Sequence, residues 1–346
     1  MIFSSVLYFR RLSLLPAAFL CFALALAFAP AQAQDAEFSQ FYAAPSYTNP
    51  AMIGFTTDPR LSLNYRHQYA SFGNAYMTLA AAYDQHFSDY NSSIGVSVLA
   101  DRTGEGGIYN TYSFGVQYAY QLQLTRNMRF KAGAQVAYLN KSLAWDKVVL
   151  GDMIDPRTGQ PVLPSLDGMP ENTSLHRFDL SLGGVAYSET FYIGAAFKHI
   201  TRPSITFTNS ADVDNNLSMR SLVHIGKVFY LGQIKTHKPR LYVSPNLLFV
   251  NQGNFNQISA GAYIGKGMLM GGLWFRHALR NSDSVIGLIG FKKDIFRIGY
   301  SFDIGVSGIG TSAGAHELSL LLDFGDNPYT KAAERQRQKR ECPEMW

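Results

Sequence analysis

Cysteine is scarce: the 346-residue chain has two, Cys21 and Cys342. Cys21 falls in a segment that reads as a secretory leader, so the exported chain keeps one thiol and forms no internal disulfide. A second long apolar run is also missing. A membrane helix needs roughly 18 or more apolar residues, and nothing beyond Ala33 qualifies. The eight histidines are scattered, with no two nearer in sequence than His224 and His237. No pair has metal-ligand spacing, so no metal or other cofactor is expected. Basic residues outside the two ends are nearly matched by acids. Arg10 and Arg11 lie in the leader, and Lys331, Arg335, Arg337, Lys339 and Arg340 lie in the tail. The net charge of +5 therefore marks a basic tail, not a nucleic-acid partner.

The leader is read from three features. Arg10 and Arg11 give a positive start, Leu12 to Ala29 is apolar, and Ala31-Gln32-Ala33 is a small-residue cleavage signal. Residues 1–33 are assigned to it, with the mature chain starting at Gln34. Leu20 before Cys21 argues against a lipoprotein signal.

What the chain has in quantity is Phe (24), Tyr (20) and Gly (30). Aromatic rings suit bilayer interfaces and glycine relieves crowding at bends. The dominant pattern is alternation. Tyr112, Phe114, Val116, Tyr118, Tyr120, Leu122 and Leu124 point one way, and Ser113, Gly115, Gln117, Ala119, Gln121 and Gln123 the other. Arg129 to Tyr138 and Phe296 to Ile304 repeat it. A soluble sandwich also alternates, but here the strands are long and the polar face is small or uncharged. In lipid every backbone polar group must be paired, and a closed barrel is the all-strand solution.

The expected fold is all-β: a transmembrane antiparallel β-barrel of outer-membrane type, with about 14 strands. Their expected bounds are 61–69, 75–87, 91–101, 109–124, 127–143, 175–188, 191–200, 218–231, 240–250, 255–265, 267–278, 283–292, 294–304 and 315–325. An even count returns both barrel ends to the periplasm. Short connections after the even-numbered strands and longer ones after most odd-numbered strands fit the periplasmic-turn, outer-loop rule. The segment 232–239 breaks that rule.

The barrel is assigned to 61–325, leaving two flanking pieces. Residues 34–60 carry Pro45, Pro50 and Pro59 and no strand period, and form an arm that plugs the lumen or lies beneath it. Phe38, Phe41, Tyr42, Tyr47 and Met52 make it too apolar for a disordered segment. Residues 326–346 form a basic periplasmic tail. Arm and tail are both read as docking elements.

Chemical motifs are weak. Gly308 to Ala313 mimics a dinucleotide loop, but a strand follows where a helix is required. Asp212 and Asp214 lack the glycine and distal glutamate of a calcium loop. Ser307, His316 and Asp303 form the one local catalytic trio that can be drawn, with nothing to orient the serine. No enzyme is expected.

The charges of the last hairpin carry more. If residues 297 and 323 pair, then 303 and 317 pair as well. Arg297–Asp323 then forms a wall ion pair. Asp303 and Glu317 form a like-charged pair that repels unless a cation stands between them. One reading is lumen packing; the other is a plug or partner contact made through a cation.

Both ends of the chain carry short elements in a fixed order: Phe38-Ser39-Gln40, Asn49-Pro50-Ala51 with Gly54, and Tyr65-Arg66-His67-Gln68. Toward the other end stand Gly299-Tyr300-Ser301-Phe302-Asp303, His316-Glu317-Leu318-Ser319-Leu320 and Cys342-Pro343. The chain resembles the PorP/SprF family of type IX secretion system membrane proteins. Tyr69 stands where members often have tryptophan. The resemblance implies an outer-membrane protein that assists export or surface display of proteins bearing C-terminal sorting domains, gliding adhesins among them. The partners it implies are outer-membrane lipid, periplasmic secretion components and cargo. It transfers no catalytic residue. A passive channel or apolar-solute transporter is the alternative function.

Overall fold

The computed structural model describes residues 35–56, 58–69, 76–104, 106–161, 165, 172–207, 216–232, 240–279, 283–306 and 314–324. The alternating segments form strands β1 (Arg60–Gln68), β2 (Tyr76–Phe87), β3 (Ser92–Thr103), β4 (Tyr109–Gln123) and β5 (Arg129–Leu143). Next come β6 (Ser174–Tyr187), β7 (Phe191–Lys198), β8 (Arg220–Lys227), β9 (Phe229–Leu231) and β10 (Leu241–Gln252). The last are β11 (Phe255–Lys266), β12 (Leu269–Ala278), β13 (Ser284–Lys293), β14 (Phe296–Gly305) and β15 (Ala315–Asp323).

All pairings are antiparallel, and β15 returns to pair with β1, closing the sheet. Both β8 and β9 pair with β10, so they are two halves of one strand interrupted at Val228. The fifteen segments thus make a closed barrel of 14 strands. Closure removes every sheet edge that hydrocarbon would leave unpaired.

Burial is inverted relative to a soluble protein. Val116, Val136, Leu182, Leu273 and Ile289 face outward and are exposed, while Gln117, Lys131, Ser181, His224 and Glu317 face inward and are buried. An apolar outside with a polar inside is the arrangement of a barrel in lipid. Aromatics ring both ends of the outward face. Tyr83, Tyr118, Tyr120, Phe229, Phe291 and Phe296 stand at one end, and Tyr65, Tyr112, Tyr138 and Phe275 toward the other.

The connections are asymmetric. Residues 188–190, 267–268 and 294–295 link strands at one end, and 144–173 and 199–219 at the other. The short turns use left-handed residues: Asn91 (φ 50°), Gly267 (65°) and Asp294 (51°). By the usual rule the short-turn end faces the periplasm.

Candidate functional site: an arm inside the barrel

Residues 35–56 lie inside the barrel. They form one helical turn, α1 (Pro45–Thr48), and a 3-10 turn at Pro50–Met52, both opened by proline. Asn49 connects them and accepts a hydrogen bond from the Ala51 N–H (2.9 Å). Proline at the first helical position costs no hydrogen bond, so it suits segments this short. Phe41, Tyr42, Ala43, Ala51, Met52 and Ile53 are all buried against the wall. Of the two placements expected for the arm, in the lumen or beneath the barrel, these residues take the first. Too much apolar and polar surface is matched by the lumen for the arm to sit outside it.

Near the long-loop end the arm is held by charge. Asp35 Oδ2 lies 2.6 Å from His199 Nε2, and His199 Nδ1 lies 2.9 Å from Asp179 Oδ2. Both imidazole nitrogens face carboxylates, an arrangement that calls for the doubly protonated ring. Burial alone would raise the Asp35 carboxyl. The charge and hydrogen bond of His199, with Lys198 and Arg220, outweigh it and hold Asp35 well below the carboxylate range. Burial lowers His199, but Asp35 and the Asp179 hydrogen bond more than reverse this and raise it. Glu37 accepts from Gln257 (2.6 Å), and Lys198 Nζ sits 3.7 Å from the Tyr47 ring centre.

Four residues on, two acids and two arginines surround Ser39 and Gln40. Glu317 accepts from the backbone N–H of Ser39 (2.7 Å) and of Gln40 (2.9 Å). Arg66 donates to Glu317 (3.1 Å), Asp303 (3.0 Å) and Ser39 Oγ (2.7 Å). Arg276 donates to Asp303 (3.1 Å) and Ser39 Oγ (2.8 Å), and Ser39 Oγ donates to Asp303 (2.6 Å). Gln40 donates to Ser301 Oγ (3.1 Å) and accepts from Ser319 Oγ (2.6 Å). The formal charges cancel, which is the condition for burying so many.

The register expected for the last hairpin is corrected by two residues. Ser301 pairs with Glu317, Asp303 with Ala315, and Arg297 with Leu321. An even shift keeps every side chain on its face. Asp303 and Glu317 therefore stand diagonally rather than opposed, and Arg66 with Ser39 fits between them. Arg297 still reaches Asp323 (2.8 Å).

Below this lies an apolar layer. Phe41 meets Trp274 edge-on at 5.3 Å and Tyr42 meets Tyr263 at 4.9 Å, backed by Leu248, Ile286 and Leu321. Asn49 then donates to Ala195 O (3.1 Å) and lies 3.2 Å from His224 Nε2, so that nitrogen is the acceptor. Toward the short-turn end the wall reads the arm's main chain. Lys131 donates to Ile53 O (2.6 Å) and Gly54 O (2.8 Å), and Arg60 to Met52 O (3.3 Å). Asp84 accepts from Gly54 N–H and pairs with Arg60 (3.1 Å). Gly54 has φ 56°, a conformation side chains resist. Gly133 lets the arm approach; a Cβ there would stand 2.5 Å from Pro50 C and Ala51 N. A cavity of about 10 Å³, room for one water, lies beside Glu37, Tyr47, Lys198 and Arg220.

Over residues 31–322 the sequence matches the family model described as type IX secretion system membrane protein PorP/SprF. The chain belongs to the PorP/SprF family. No curated protein matches it. Among solved structures, this PorP/SprF barrel is similar to the Ralstonia pickettii toluene transporter TbuX (11% identity, TM-score 0.46, covering 82% of this chain and 94% of that one). It is also similar to the Acinetobacter baumannii outer membrane protein Omp33 (11%, 0.44, 78% and 100%). A third is a Pseudomonas aeruginosa FadL homologue (10%, 0.41, 82% and 94%). The PorP/SprF chain is a β-barrel of the outer membrane.

The short elements at the two ends of the sequence meet in space. Ser39 and Gln40 from the arm, Arg66 from β1, Asp303 from β14 and Glu317 from β15 form the network described above, at the strands that close the barrel. Phe38 packs edge-on against Tyr47 at 5.3 Å, and Gln68 accepts from Arg66 (3.4 Å). Asn49, Pro50 and Gly54 lie in the lower arm. Tyr65, Tyr300 and His316 face outward instead, with Tyr300 Oη 2.8 Å from His316 Nδ1. His316 is thus on the opposite face from Asp303, which separates the catalytic trio drawn from sequence. Ser307, Gly308 to Ala313, Asp212, Asp214 and the tail lie outside the described residues. Sequence reasoning missed Lys131, His224, His199, Asp84 and Arg276. Their inward parity was readable, but their partner, the arm, was not.

Proposed function

We propose that this protein is a sealed, non-enzymatic barrel of the type IX secretion system that acts through protein contacts. It assists export or surface display of proteins bearing C-terminal sorting domains, gliding adhesins included. The observation that carries this reading is the arm filling the lumen. Its backbone and side chains are bonded to the wall from Asp35 to Gly54. A channel or apolar-solute transporter needs an open path, and the filled interior speaks against one. Work that is not done through the pore is done at the mouths and on the outer wall. The basic tail, residues 326–346, is the periplasmic contact in this reading, with cargo met on the outer side.

The test is a deletion strain carrying a reporter fused to a C-terminal sorting domain. Surface display should fall on deletion and return with the intact gene. Normal display in the deletion strain would remove the proposal.

A further inference from the structure

The arm has a direction. Asp35 is tied to His199, which follows β7, and to Gln252, the last residue of β10. Both mark the long-loop end. Glu37 meets Gln257 at the same end of β11. Ser39 and Gln40 meet Glu317, the third residue of β15. Asn49 reaches the middle of β7, at Ala195. Gly54 meets Asp84 near the end of β2 and Lys131 near the start of β5, both at the short-turn end. The chain then enters β1 at Arg60, opposite Asp323.

The arm therefore runs the length of the lumen against the direction of β1. An even strand count places Arg60 and Asp323 on one side, but the arm carries the chain's beginning to the other. We infer that the mature amino terminus reaches the cell surface through its own barrel, while the carboxyl terminus stays in the periplasm. This rests on the membrane orientation given above and on leader cleavage after Ala33. It gives the protein a different chain end for contacts on each side of the membrane. Along the way Ser39 meets Arg66 of β1, Asp303 of β14 and Glu317 of β15, beside the β1–β15 pairing that closes the barrel.

The experiment uses the full chain with Cys342→Ser and one added cysteine, Ala36→Cys or Thr56→Cys, probed with a membrane-impermeant maleimide. Cys21 departs with the leader. Ala36→Cys should label on intact cells, and Thr56→Cys only after the outer membrane is permeabilised. An epitope inserted between Gln34 and Asp35 should bind antibody on intact cells, and one after Trp346 only after permeabilisation. Heat-dependent gel migration confirms that each variant is a closed barrel. Reversal of the pattern would overturn the orientation, and confinement of all sites to the periplasmic side would overturn the threading. Neither outcome depends on whether cargo display requires the protein.

Discussion

The upper and lower halves of the arm are held in different ways. From Asp35 to Gln40, formal charges do the holding: His199, Arg66, Arg276, Glu317 and Asp303 converge on a few arm atoms. From Asn49 to Phe55, shape and main chain do it. Gly133 admits the backbone, Lys131 and Arg60 bind carbonyls, and Asp84 binds an N–H. Each half is therefore vulnerable in its own way. The upper half depends on protonation and on keeping charges balanced. The lower half depends on space and on the path of the arm's main chain.

The contrast is broken most severely by filling the lower space. Gly133→Leu puts a branched side chain where Pro50 and Ala51 lie, and the arm cannot seat. The variant should conduct in a planar bilayer. Gly287→Ala, where an added Cβ meets nothing within 4 Å, should behave as wild type.

Next in size is Arg66→Met in the upper half. It leaves Glu317 buried without its cation, a change that costs about 3–5 kcal/mol. The urea midpoint followed by tryptophan fluorescence should fall accordingly. Arg66→Lys should recover part of the loss but not the forked contact to two acids.

Lys131→Met should cost less, about 1–3 kcal/mol, for buried carbonyls left unsatisfied. The same denaturation measurement checks it, and little pH dependence is expected of this loss.

The smallest effect sharpens the contrast through pH. His199 is raised, so its contribution is fully present below about 6.5 and is lost as pH climbs through the raised value. Asp35 is lowered, so its contribution is present above about 3.9 and is lost as pH falls through the lowered value. Both operate between those two pH values. Hydrogen exchange near Asp35 and Glu37 should therefore quicken first on the alkaline side, before exchange near Gly54. His199→Gln should remove that alkaline step.

Much of the barrel is legible from side-chain parity. Tyr112 to Leu124 states which residues face lipid and which face inward, because one residue of slip would reverse every one of them. Ends and interruptions are less visible: Val228 breaks one strand where the sequence reads as continuous. The final register illustrates the limit. Parity places Asp303 and Glu317 on one face, yet only a third element, Arg66 with Ser39, decides that they stand diagonally. The arm itself has no period to read. Its apolar residues show that it is buried, and the wall alone shows where. Short motifs at the two ends of the chain do signal something local to neither end, which is the closing seam and the arm it encloses.

The claim underlying this account is that the arm occupies the lumen of the folded protein. Single-channel recording of the purified mature protein, beside a variant lacking residues 34–56, tests it most directly. The intact protein should pass no steady current and the shortened one should form an open pore. Equal, sustained conductance from both would contradict it.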